Sequence, residues 1–223
     1  MTTYLVTGAS RGIGREFVNQ LAARGNAVLA TARDPGTLPK DVESFALDVS
    51  SEGSVRALAA ALGDRPIDVL INNAGVTSPV KSVAELSFSE LGRVYATNVF
   101  APMVLAGVLL PNLRAGRRKV VVNISSVMGS MASAAANKDA KSFAYRSSKS
   151  ALNMLNVCLA NELRGEGFTC VAVHPGWVKT DMGGGEAPLS AQESVAAMLR
   201  TIDGLTPERT GAFIERDGRP IAW

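Results

Sequence analysis

The chain has 223 residues with a hydrophobic share of 47%, enough to bury a sizeable core in one α/β domain spanning 1–223 without disulfide or metal support. Its 23 basic and 20 acidic residues leave a net charge of +3, too small an excess to point to nucleic acid. Two cysteines, Cys158 and Cys170, and one histidine, His174, argue against a structural metal or a redox pair.

Apolar runs bounded by turn residues alternate with stretches of helical period, the pattern of βαβ units and a mostly parallel sheet. Strands are predicted near Thr3 to Thr7, Ala27 to Thr31, Ser44 to Asp48, Ile67 to Asn72, Lys119 to Ser125, Thr169 to His174 and Ala212 to Glu215. Helices are predicted over Arg11 to Arg24, Ser51 to Leu62, Ser87 to Arg114 with a bend near Pro102, Ala144 to Arg164, and Ser190 to Asp203. Ser190 and Glu193 have the spacing of a capping box. The stretch Asp34 to Glu43 holds two prolines and a glycine and is expected to be coil or a single turn. No apolar run reads as a membrane span, and Met1 leads directly into Tyr4-Leu5-Val6 without the features of a secretory signal, so a soluble cytoplasmic protein is expected. Both cysteines read as reduced packing residues, and the cluster Arg114, Arg117, Arg118, Lys119 reads as a solvated helix end.

The turn Thr7-Gly8-Ala9-Ser10-Arg11-Gly12-Ile13-Gly14 follows the first strand and opens the first helix, where free amides and the helix dipole favour a pyrophosphate. Its spacing is G-x-x-x-G-x-G, not the general G-x-G-x-x-G, and a tight glycine turn without a ligand is the alternative. Tyr145 and Lys149 lie four residues apart on a predicted helix and so share one face.

Taken with Asn72-Asn73-Ala74-Gly75 and Pro175-Gly176, this turn and the Tyr145/Lys149 pair occur in an order that resembles the short-chain dehydrogenases/reductases, over residues 3 to about 182. The ending Gly211-Ala212-Phe213-Ile214-Glu215 to Trp223 resembles sniffer-type carbonyl reductases and the C-factor group. The resemblance implies a doubly wound parallel seven-stranded sheet (a Rossmann fold) ordered 3-2-1-4-5-6-7, with a dinucleotide across the carboxyl ends of the strands. It implies cofactor contacts from Gly8, Ser10, Arg11, Gly12, Ile13 and Gly14, from Asp48 and Val49, from Asn73, Ala74 and Gly75, and from Tyr145 and Lys149. Pro175, Gly176, Val178 and Thr180 complete that set on the nicotinamide side.

Arg33, after the second strand, and Arg11 match positions that meet the 2′-phosphate in NADPH-using relatives, so NADPH/NADP+ is the expected cofactor. The alternatives are that both are surface charges and that Asp34 is an acidic ribose ligand displaced by one residue. The resemblance makes Tyr145 the general acid/base, with its phenol brought from ~10 towards neutrality by Lys149 and the nicotinamide charge, a change of about three units or roughly 4 kcal/mol. Ser126 would bind the substrate oxygen, and Asn98 would anchor a water in a relay to the lysine. Read alone, Ser126 caps a strand, Asp48 is a turn aspartate, and Asn98 is a helix irregularity.

The interval from Ser126 to Tyr145 is longer than the family's usual one, and the extra residues between Gly129 and Ser142, with Ala134 to Asp139, are expected to form a surface loop at the substrate rim. Gly183-Gly184-Gly185 is expected to be a flexible short loop, leaving an open site lined by Met128, Met131, Trp177 and Met182. His174 reads as a packed residue rather than a catalyst. The expected activity is NADPH-dependent reduction of a small aldehyde or ketone. A signalling protein of the C-factor kind is the second reading, and a sugar-nucleotide epimerase is disfavoured by the short C-terminal region. The helices around Ala101 to Leu110 and Ala151 to Leu159 leave a homodimer open, since both also have core faces to bury.

Overall fold

The computed structural model describes residues 1–138 and 140–223. Its centre is a seven-stranded parallel sheet in the order β3-β2-β1-β4-β5-β6-β7. The strands are β1 (Thr3–Val6), β2 (Ala27–Ala32), β3 (Glu43–Ala46), β4 (Val69–Asn72), β5 (Val120–Ile124), β6 (Thr169–His174) and β7 (Phe213–Glu215). Side chains alternate across the sheet, so each nearly continuous apolar run feeds two cores at once. Tyr4, Val6, Val69, Ile71, Val120, Val122, Val171 and Val173 pack on one face, against α1 (Gly12–Ala23) and α8 (Ala191–Asp203). Leu5, Leu70, Val121 and Cys170 pack on the other, against α2 (Glu52–Leu62), α4 (Ala101–Val108), α5 (Leu110–Ala115) and the carboxyl half of α7 (Phe143–Leu163).

The caps follow the sequence. Ser51 and Ser190 accept first-turn amides of α2 and α8, and Ser190 with Glu193 completes the predicted capping box. The segment after β2 makes one short turn at Pro35–Thr37, held by Asp34.

The single helix expected from Ser87 to Arg114 is instead α3 (Phe88–Tyr95), a π-helical turn over Ala96–Phe100, then α4 and α5. Pro102 and Pro111 each lack a donor, which breaks the regular ladder, and Asn98 fixes the wider turn by bonding both the amide and the carbonyl of Val76 at 2.9 Å. Contrary to the expectation about membrane spans, Phe88–Val108 is long and apolar enough by composition to cross one; in this fold Val94, Val99, Leu105 and Ala106 are buried within it.

Part of the expected rim loop is α6 (Met131–Ala136), a short alanine-rich helix capped by Ser130, while Asp139 lies outside the described residues. The amide of Ala132 donates to the Trp223 carbonyl at 2.8 Å, and the Trp223 ring stacks on Phe213 at 5.5 Å. The basic cluster is not merely solvated. Arg114 forks onto Glu166 with two 2.7 Å bonds, and Arg118 reaches the Tyr4 hydroxyl and the Ile202 carbonyl. Cys170 is buried as expected, but Cys158 is exposed; both are free thiols.

Candidate active site

The carboxyl ends of β1, β4, β5 and β6 converge where the order of strand connection reverses, which places the predicted motifs together. Thr7 joins the first two, its hydroxyl accepting the amides of Asn73 and Ala74 at 3.0 Å each. Asn73 donates in turn to the carbonyls of Thr7 and Gly8. Gly8 has φ +66°, and a β-carbon there would stand 2.9 Å from the Ala74 Cα. A β-carbon at Gly14 would stand 2.2 Å from the Gly8 carbonyl oxygen, so this packing of α1 against the turn excludes any larger residue. The residue before α1 is Arg11, which has no side-chain acceptor to offer the first-turn amides, unlike the serines before α2 and α8. An uncapped helix start beside a turn whose glycines leave no room for a β-carbon at Gly8 and Gly14 fits the pyrophosphate of a dinucleotide.

The four residues expected to do chemistry converge on one end of α7. Ser126 stands close enough to the Tyr145 hydroxyl to draw its pKa down, and its Oγ accepts the Met128 amide at 3.1 Å, capping the short turn Val127–Gly129. Lys149, one turn beyond Tyr145, is buried, donates to the Ile124 carbonyl at 2.8 Å, and holds its Nζ 5.8 Å from the Tyr145 ring centre. A β-carbon at Gly75 would lie 3.8 Å from that Nζ and 3.4 Å from Asn98 Oδ1. Asn98 donates to Ser148 Oγ at 3.0 Å, and Ser148 donates to the Tyr145 carbonyl at 2.8 Å.

The protein's own side chains do not supply the lowering of the Tyr145 phenol, which the expectation shared between Lys149 and the nicotinamide charge. Burial pushes the Tyr145 phenol above 10.0 and the Ser126 hydrogen bond draws it only partly back, so the phenol keeps its proton at neutral pH. Lys149 aims its proton at a backbone carbonyl rather than at the phenolic oxygen. Burial also draws Lys149 down from 10.5 to about 8.

At the expected adenosine end, Arg33 is exposed and close enough to Asp48 to help hold its carboxyl low, after the larger effect of the Ser50 hydrogen bonds. Asp48 Oδ1 accepts the Ser50 amide and hydroxyl, which is the turn role weighed for it, and Val49 packs at the edge of the core. Asp34 Oδ1 accepts the Gly36 amide at 2.9 Å, which ties that carboxylate into its own turn. Arg11 pairs with Asp181 at 2.8 Å, with both side chains about three-quarters exposed.

The family model described as short chain dehydrogenase matches residues 2–188. The chain belongs to the short-chain dehydrogenases. C-signal of Myxococcus xanthus is 43% identical over 169 residues, which cover 76% of this chain and 100% of that one. Two carbonyl reductases cover the whole chain. The NADPH-bound enzyme from chicken fatty liver is 34% identical with a TM-score of 0.89, covering 100% of this chain and 99% of its own. The Sniffer enzyme of D. melanogaster is 31% identical with a TM-score of 0.91, covering 100% of both chains.

In this short-chain dehydrogenase the segment after β6 is more ordered than its glycines suggested. Trp177 Nε1 donates to the Gly183 carbonyl at 2.7 Å, and the Gly183 and Gly184 amides donate to Thr180, so Gly183 to Gly185 belongs to a bonded turn rather than a free loop. The Pro175 carbonyl accepts from Ser194 at 2.6 Å, Gly176 has φ +85°, and Val178 is buried and bridges Leu189. Thr180 touches the phosphate turn, with its Cγ2 3.3 Å from the β-carbon position of Gly12. Of the expected pocket lining, Met131, Trp177 and Met182 are exposed. His174 is held down to about 4 by burial and by nearby Arg216, so it is neutral. Among the described residues no group of His, Cys, Asp or Glu is arranged to hold a metal.

Sequence reasoning missed two supports. Asn72 donates to Asn123 at 2.9 Å and Asn123 to Asn156 at 3.0 Å, a buried ladder joining β4, β5 and α7. Arg15 hydrogen-bonds the carbonyls of Ser10 and Thr37. Polar residues inside apolar runs were the available signal for the first, and the four-residue spacing from Arg11 at a helix start was the signal for the second.

Proposed function

We propose that this protein is a soluble NADPH-dependent reductase of small-molecule carbonyls, with Tyr145 as general acid. The observation that carries this reading is the buried Lys149 Nζ, held by the Ile124 carbonyl at 2.8 Å and standing 5.8 Å from the Tyr145 ring centre, with Ser126 beside the phenol. The turn from Gly8 to Gly14, with Ser10 and Ile13, would hold the pyrophosphate. Arg33 and Arg11 would face the 2′-phosphate, since the Arg11–Asp181 pair is exposed and cheaply exchanged. Asp48 and Val49 would meet the adenine, Asn73, Ala74 and Gly75 would line the floor, and Pro175, Gly176, Val178 and Thr180 would meet the nicotinamide. Bound there, the reduced cofactor supplies the hydride.

The chain's own residues do the rest. Ser126 and Tyr145 donate to the substrate oxygen, and as charge grows on that oxygen the Tyr145 proton passes to it. Lys149 holds its positive charge near the phenolate so formed, and Asn98 fixes the turn beside it. Exposed Met131, Trp177 and Met182 favour an apolar substrate. A signalling role of the kind suggested by the name C-signal is less well supported, because Asn98, Ser126, Tyr145 and Lys149 are all present and assembled. Exposed Phe100, Val104 and Met154 support a homodimer, which a solution mass measurement tests.

The test is a panel of aldehydes, ketones and diketones with NADPH, followed through the absorbance of the reduced cofactor, for wild type and Tyr145→Phe. The variant should bind NADPH normally and turn over roughly 10²–10⁴-fold more slowly. Equal rates would remove Tyr145 from the role, and NADPH binding without turnover of any carbonyl would favour the signalling reading.

A further inference from the structure

Arg33 follows β2 and leads into the turn Pro35–Thr37, and the phosphate turn at Ser10 follows the neighbouring strand β1. Arg15, on the first turn of α1, touches both. Its Nε donates to the Ser10 carbonyl at 3.5 Å and an Nη donates to the Thr37 carbonyl. Thr37 is itself fixed, its amide and hydroxyl both bonded to the Asp34 carbonyl. The guanidinium is a rigid fork with five donors, and the second Nη makes no hydrogen bond among the described residues. Of the two arginines proposed to meet the 2′-phosphate, Arg11 makes an exposed pair with Asp181 and Arg33 stands exposed beside Asp48. Among the described residues no acidic side chain pairs with Arg15.

From this we infer that Arg15 is a specificity-determining residue for the cofactor's 2′-phosphate. It staples the two walls at a fixed separation and adds a third positive charge to Arg33 and Arg11. The inference rests on the NADPH reading above. A phosphate monoester there gains a cation that is already oriented, and orientation is what an isolated surface arginine lacks. A ribose with a free 2′-hydroxyl gains little, because a neutral hydroxyl does not draw on the added charge.

The test is binding rather than turnover, on the full chain. Adenosine 2′,5′-bisphosphate and AMP are titrated calorimetrically into wild type, Arg15→Gln, Arg15→Lys and Arg33→Gln, and NADPH and NADH are titrated in parallel. Arg15→Gln should weaken adenosine 2′,5′-bisphosphate and NADPH about ten-fold, the scale of a charge-assisted hydrogen bond, and leave AMP and NADH within about two-fold. Arg15→Lys keeps the charge but loses the fork, so it should recover only part of that loss. It also serves as the working variant if Arg15→Gln folds poorly. An equal loss for both fragments, or no loss for either, overturns the role of Arg15. Wild-type protein that binds the two fragments equally overturns the NADPH reading itself, whereas a wild-type preference that is lost in Arg33→Gln but survives Arg15→Gln overturns only the role of Arg15.

Discussion

Replacing Lys149 with methionine should make the apo protein more stable at neutral pH while removing its activity. Lys149 is 5% exposed, and burial lowers it from 10.5 to about 8. At about 1.4 kcal/mol per pKa unit, this corresponds to about 3 kcal/mol that the fold gives up to keep a cation in the site. Below pH 8 the folded and unfolded chains both carry the proton, and the full cost applies. Between about 8 and 10.5 the folded protein sheds the proton first, so the unfolded chain binds more protons and stability rises with pH. Methionine fills much of the same volume without the charge, but forfeits the 2.8 Å bond to the Ile124 carbonyl, worth about 1 kcal/mol. Lys149→Met should therefore gain about 2 kcal/mol at pH 7 and lose about 1 kcal/mol near pH 10.5. Urea unfolding of both proteins across that range, compared at each pH so that shared titrations cancel, reads the difference directly. A difference that does not vary with pH would refute the reasoning.

The rate of carbonyl reduction by the free enzyme should fall as pH rises through about 8, where Lys149 loses its charge while Tyr145 still holds its proton; a profile of kcat/KM flat to pH 10 would exclude this. Ser126→Ala removes a donor to substrate and the cap of Val127–Gly129, so turnover should drop roughly 10²-fold with a stability loss of only about 1 kcal/mol, separable by steady-state kinetics and urea unfolding. Asn123→Leu breaks the buried ladder in its middle and strands groups on Asn72 and Asn156, which should cost about 2–4 kcal/mol in chemical unfolding.

The fold was legible because its signals are local. Val120-Val121-Val122 and Val171-Ala172-Val173 read as strands covered on both faces, and they are. The phosphate turn and the Tyr145/Lys149 spacing are likewise short-range patterns. What escaped depends on partners distant in the chain. The π turn at Asn98 is fixed by Val76, 22 residues earlier, and Arg11 finds Asp181, 170 residues later. The direction of the Tyr145 shift depends on how fully α7 is packed, which spacing does not encode. The alanine-rich run from Met131 lacks an amphipathic period, so its helix could not be read from periodicity, although alanine is the best helix former.

Several residues that the sequence leaves open between structural and functional readings have structural duties beside Tyr145. Ser126, which stands beside the Tyr145 hydroxyl, caps the next turn through its Oγ. Asn98 builds the π turn with the side chain that also reaches Ser148, whose hydroxyl holds the Tyr145 carbonyl. A hydroxyl engaged by a backbone amide cannot rotate freely, and the Asn98 amide cannot change rotamer without breaking three bonds. These structural duties hold the surroundings of Tyr145 in place, as the proposed general acid role requires. The geometry around Tyr145 is already set before any substrate arrives, and the binding of substrate need not be spent on arranging it.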